Sequence, residues 1–138
     1  MDISDILNEV YNLNKNSLAS YIVDAEPYVT NEQELVFKKI QQIAKEQSAF
    51  VQEILNCMQD LEVIPHSFSF PSQMSELNYL SMNYLKKVLL QELSVEQEQM
   101  LLFIEELKKE KLLSLQHPIS LLEKAKNMLE QFAIELTA

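Results

Sequence analysis

Apolar residues recur along this chain at spacings of three and four, the period of one helix face, and do so in four long stretches. The first predicted helix runs from about Ile3 to Ala25, with Ile3, Leu7, Val10, Asn14, Leu18, Tyr21 and Ala25 on one stripe. Pro27 closes it, because proline disfavours the helical conformation of the residue before it. Thr30-Asn31-Glu32-Gln33 then reads as a capping box. It opens a second helix, from about Asn31 to Leu61, with Val36, Ile40, Ile43, Gln47, Phe50, Ile54, Met58 and Leu61 facing one way.

The stretch from Pro65 to Pro71 is bracketed by prolines and predicts a crossover connection, with Phe68 and Phe70 pinning it across one end of a bundle. A third helix is expected to begin near Ser72 or Ser75 and to continue to about Lys109. It carries two apolar stripes. One is Leu77, Leu80, Tyr84, Val88, Val95 and Leu102; the other is Met82, Leu85, Leu89, Leu93, Met100, Phe103 and Leu107, interrupted by Glu96. A helix apolar on two sides either lies deep in the core or meets a second subunit. Ser94-Val95-Glu96-Gln97 also fits a capping box, so a break there is the competing reading. Pro118 marks the next boundary, and Ser120 is the expected cap of a last helix bearing Leu122, Ala125, Leu129, Phe132 and Leu136 on one face.

Composition sharpens this picture. There is no glycine. Sheets need tight turns at positive φ, so the helical reading gains and the fold class is all-α. At 138 residues, 47% of them apolar, the chain predicts one globular domain spanning 1–138. The net charge is −10, and all 11 basic residues are lysine. A negative chain without arginine or a basic stripe is a poor partner for nucleic acid and for anionic membranes. No stretch approaches the roughly 20 apolar residues of a membrane span. The acidic start, Met1-Asp2-Ile3-Ser4-Asp5, is unlike a secretory signal, and the lone Cys57 has no internal disulfide partner, so a cytoplasmic location is expected.

Several pieces together resemble the ferritin-like superfamily, and among its members a group of small bacterial ferritin-like proteins of uncharacterised function. They are Ser17-Leu18-Ala19-Ser20-Tyr21, Asp24-Ala25-Glu26-Pro27, Glu46-Gln47, Phe70-Pro71 and Leu77-Asn78-Tyr79-Leu80-Ser81, in that order, within a resemblance that covers about residue 4 to residue 110 and weakens in the last helix. The resemblance implies an antiparallel four-helix bundle with one crossover. It also implies a place for a di-iron site, built from a Glu on each of two helices and a Glu-x-x-His on each of the others. Here the residues depart from the family. The two histidines, His66 and His117, follow Val63 and Ser114 at that spacing, so neither Glu-x-x-His exists. Asn14 stands at the first glutamate position, Ala49 where a histidine would follow Glu46, and Lys126 where one would follow Glu123. Glu46, Glu92 and Glu123 are the remaining weak metal candidates, and no metal or other cofactor is expected.

Asn14 and Gln47 fall on buried stripes and are expected to be bonded to each other or to a trapped water, since buried polar groups need partners. Cys57, beside Met58, reads as a structural thiol, and no catalytic residue is identified. The functional expectation is a non-catalytic bundle that binds itself or another protein. A homodimer would form over Met82, Leu85, Leu89, Leu93, Met100 and Phe103, a face left over from the core. The alternative is a metal- or oxygen-handling enzyme with a carboxylate-only site, which would bring Glu46 and Glu92 together inside the bundle.

Overall fold

The computed structural model describes residues 2–67 and 80–138, and among them it is all-helical, without strands. The expected pinning of Phe68 and Phe70, and the expected helix start at Ser72 or Ser75, fall outside the described residues. Leu80 and Ser81, expected inside that helix, are not helical; it begins at Met82, because Ser81 is extended and caps it. Five α-helices follow in order: α1 (Ile3–Lys15), α2 (Leu18–Asp24), α3 (Glu34–Asp60), α4 (Met82–Lys109) and α5 (Gln116–Thr137). α1 and α2 together replace the single first helix expected from the periodicity.

The break has a local cause. Ser17 adopts an extended backbone, and its hydroxyl accepts the Ser20 N–H, so a new helix starts there. The restart changes the phase of the inward face. Leu18 and Tyr21, expected inside, are half-buried, whereas Ala19 and Ile22 are fully buried. Elsewhere the caps follow the sequence more closely. Asp2 caps α1 through Asp5 N–H, and Ser81 caps α4 through Tyr84 N–H. The Thr30–Gln33 capping box forms around a single 3₁₀ turn that leads into α3. α4 runs unbroken through Ser94. α5 starts earlier than Ser120, because Pro118 sits in its first turn, where a missing N–H is tolerated.

Helix ends carry the consequence of a chain without glycine. α2, α3 and α4 are each followed by a left-handed residue, Glu26 (φ 50), Glu62 (φ 57) and Lys111 (φ 51). At α3, Glu62 N–H bonds to Gln59 O at 3.1 Å and Val63 N–H to Met58 O at 2.8 Å, the two-bond ending that glycine usually provides. A side chain at such a position costs about 1 kcal/mol. Glu26→Gly, Glu62→Gly and Lys111→Gly should therefore each stabilise the fold by about 0.5 kcal/mol, after allowance for the looser unfolded chain. Urea titration of the triple variant should show a higher midpoint at unchanged slope; a lower midpoint would refute the strain.

The buried apolar residues form one cluster drawn from all five helices, with Leu7, Val10, Ile40, Ile43, Ile54, Leu122, Leu129 and Phe132 inside as expected. Tyr21 and Val88, expected with them, are half-buried. α4 packs mainly on α5, α1 and α2 both lie on α3, α3 also lies on α5, and α2 touches α4 more lightly. Lys108 meets Glu123 at 3.3 Å where α4 ends and α5 begins. Among the described residues no helix is long and apolar enough to cross a membrane.

The two stripes of α4 exchange the roles expected of them. Met82, Leu85, Leu89, Leu93 and Met100 are buried in the chain's own core and Phe103 is half-buried against it, so this set is not a free interface. The other stripe is outside: Tyr84 is 52% exposed, Val95 51% and Leu102 62%. The physical reason is area. The Met/Leu stripe continues through Ile104 and Leu107, and turning it inward removes more apolar surface from water than the shorter Tyr/Val stripe would.

Candidate functional site

The carboxylates singled out by the resemblance are scattered. Glu46 is exposed on α3, Glu92 is exposed on α4, and Glu123 on α5 is tied to Lys108. Glu46 and Glu92 thus do not form the buried pair that a carboxylate-only enzyme needs. Among the described residues no group of three or more His, Cys, Asp or Glu side chains is gathered for a metal ion. Asn14 and Gln47 are buried, at 3% and 2% exposure, but they do not bond to each other. Asn14 Nδ2 donates to Val10 O at 2.9 Å, because a carbonyl one turn back on its own helix is the nearest acceptor. Cys57 is buried; burial, and then the nearby Asp60 carboxylate, push its thiol pKa up, away from the reactive thiolate.

Among the described residues the buried charged position is Glu96. It sits on the inward stripe of α4 between Leu93 and Met100, 6% exposed. Burial raises its carboxyl to about 8, and the Glu92 carboxylate, one turn away, adds to the rise. The group is therefore largely protonated at neutral pH. Its signal in the sequence was a carboxylate at a core phase of an otherwise apolar stripe.

A second polar device was not anticipated at all. Asn8, Asn12 and Asn16 recur every fourth residue of the first stretch and grip the chain that leaves α3. Asn8 Nδ2 donates to Ile64 O at 3.2 Å, and Asn8 Oδ1 accepts His66 N–H at 2.7 Å. Asn12 Nδ2 donates to His66 O at 2.6 Å, and Asn16 Nδ2 donates to Asn12 Oδ1 at 3.3 Å. These amides satisfy extended backbone that has no strand beside it, which makes the device structural. Three asparagines at helical spacing were the available signal.

Two surfaces remain as candidates for binding. The outer face of α4 places Tyr84, Val88, Gln91, Val95, Glu98 and Leu102 at alternating spacings of four and three, a seven-residue repeat that suits a helix–helix seam. Lys87 and Glu105 are both exposed and lie at one angle on the same side of this stripe. The second surface is a groove of about 350 Å³ between α3 and α5. Ala49, Phe50, Met128 and Phe132 supply its apolar lining, and Glu46, Glu53, Lys124, Gln131 and Glu135 its polar lining. Lys124 Nζ is 2.7 Å and 2.8 Å from the two Glu53 oxygens and 5.5 Å from the centre of the Phe50 ring.

Compared with known proteins, no family model matches this chain, and neither does any curated protein or solved structure.

Proposed function

We propose that this protein is a non-catalytic helical module that pairs with a second copy of itself through the outer face of α4. The observation that carries the reading is the exposed seven-residue repeat around Val95. Tyr84, Val88, Val95 and Leu102 make this row apolar at four of its six positions, and such a row is better covered by another helix than by water. The stripe also complements itself. If two α4 helices lie antiparallel and cross near Val95, Lys87 of each faces Glu105 of the other, giving two symmetric ion pairs. In a parallel pair Lys87 and Glu105 would lie about 27 Å apart along the seam, and these ion pairs would be lost.

We also propose that the bundle has the antiparallel, ferritin-like layout that the sequence resembles. Supporting this, Glu53 meets Lys124 while Lys39 Nζ meets Ala138 O, so α3 and α5 run in opposite directions. The Lys108–Glu123 contact gives the same sense for α4 and α5. α3 and α4 are consecutive in the chain yet touch little, each packing on α5 instead, as a crossover between them requires. The layout itself implies no activity.

Light scattering at micromolar concentration should give twice the 16.1 kDa chain mass. Lys87→Glu should shift the population toward monomer, and adding Glu105→Lys should restore the dimer. Val95→Lys, which sets two ammonium groups face to face at the crossing, should abolish pairing without unfolding the protomer, because Val95 is not part of the core. A wild-type monomer, or a dimer indifferent to Val95→Lys, would overturn this reading.

A further inference from the structure

We propose that the α3–α5 groove binds an organic ammonium ion bearing an apolar chain, at the end formed by Phe132, Glu46 and Glu135. The inference is independent of α4 pairing. Its basis is a likeness between the two ends of the groove. α3 contributes Phe50-Val51-Gln52-Glu53 and α5 contributes Phe132-Ala133-Ile134-Glu135, the same Phe-x-x-Glu piece. Both phenylalanines and both glutamates line the groove.

At the first end the structure shows what this pairing holds. The Lys124 ammonium group lies between the Glu53 oxygens and over the Phe50 ring, satisfied by charge and by the ring's negative face together. At the second end no lysine takes the equivalent place. The α3 residue at the same offset before Phe50 as Lys124 has before Phe132 is Gln42. Glu46 stands there as well. Lys124, the lysine in the groove lining, is already held by Glu53, and among the described residues Glu135 accepts only the Gln131 amide, at 3.3 Å. Two carboxylates and an aromatic ring therefore face this end of the groove with no lysine of the lining beside them. Met128 and Ala49 extend the apolar surface along which a hydrocarbon chain would lie. The volume, about 350 Å³, is at the small end of ligand sites and suits one short chain.

The probe is octylammonium, with octanoate and octanol as the anionic and neutral counterparts, followed by NMR of the full chain. Octylammonium should give saturable shifts at Phe132, Met128 and Ala49, with an affinity in the millimolar range that weakens as salt is added. Octanoate should give none, and octanol should bind more weakly than the ammonium ion. The Glu46→Gln, Glu135→Gln double variant should bind octylammonium about threefold to tenfold more weakly, since exposed ion pairs are individually modest. Both residues are exposed, so the fold should persist, and Glu110→Gln, at the far end of α4, should bind as wild type. Equal binding of octanol or octanoate would mean an apolar groove without charge recognition. That outcome, an unchanged affinity in the double variant, or no saturable shift at all would each overturn the proposal.

Discussion

Glu96→Gln should stabilise the protein, and by an amount that grows with pH. The Glu96 carboxyl is raised from 4.5 to about 8 in the folded chain. Between those values the folded state holds a proton that the unfolded state releases, so stability must fall as pH rises. The contribution of the protonated carboxyl is fully present below the unfolded value and is lost on passing through the folded one. Glutamine keeps the shape and the neutral state of that carboxyl. At pH 5 the variant and wild type should therefore differ by less than about 1 kcal/mol, and at pH 8.5 the variant should lead by up to about 4 kcal/mol. Urea unfolding at the two pH values measures both numbers. A constant gap would show that Glu96 is not the group that titrates, because other carboxylates affect both proteins alike.

Leu89→Ala should be nearly as consequential, and it separates the two faces of α4. Leu89 is 2% exposed within the single core cluster. Its truncation removes transfer energy and leaves a cavity, at a cost of about 2–5 kcal/mol. Small domains hold only about 5–15 kcal/mol in total, so the unfolding midpoint should drop sharply. Val95→Ala, on the outer face of the same helix, should change the protomer's own stability by about 0.5 kcal/mol or less. Unfolding at a concentration low enough to keep the chain monomeric makes the comparison clean. If the Val95 change proved the more damaging of the two, the inward stripe would have been misassigned.

The ambiguity at α4 shows where the sequence stops being informative. Periodicity locates α3 and α5, and the Thr30–Gln33 box locates the approach to α3, because these signals are local and self-consistent. At α4 periodicity yields two stripes of the same pitch. Which one turns inward depends on neighbours that the pattern does not name. The Met82 stripe reads as a surplus interface because it is a second apolar face beyond what one core needs, yet tertiary packing turns it inward, buries Glu96 with it and raises that carboxyl's pKa. At Ser17 a hydroxyl competing for a backbone N–H outweighed an unbroken apolar period. The groove was hidden for another reason. Its two Phe-x-x-Glu pieces lie on different helices, and only the α3–α5 register brings them together. Glu46 was singled out as a metal candidate and proves to line that groove.

The asparagine clamp also bears on the order of events in time. Its bonds join residues 54, 56 and 58 positions apart in the chain, whereas each helix forms from neighbours. Contacts of such long range wait until the intervening chain is ordered, so α3 and the turn after it must be in place before the clamp closes. It is therefore expected to close on the native side of the folding barrier. Asn8→Ala and Asn12→Ala should then give φ-values near zero in refolding and unfolding kinetics, and values near one would refute this. Interactions formed there hold back unfolding and leave the folding rate almost untouched. With φ-values near zero, the amides of Asn8 and Asn12 would act as a latch, setting how long the native state lasts more than how fast it is reached.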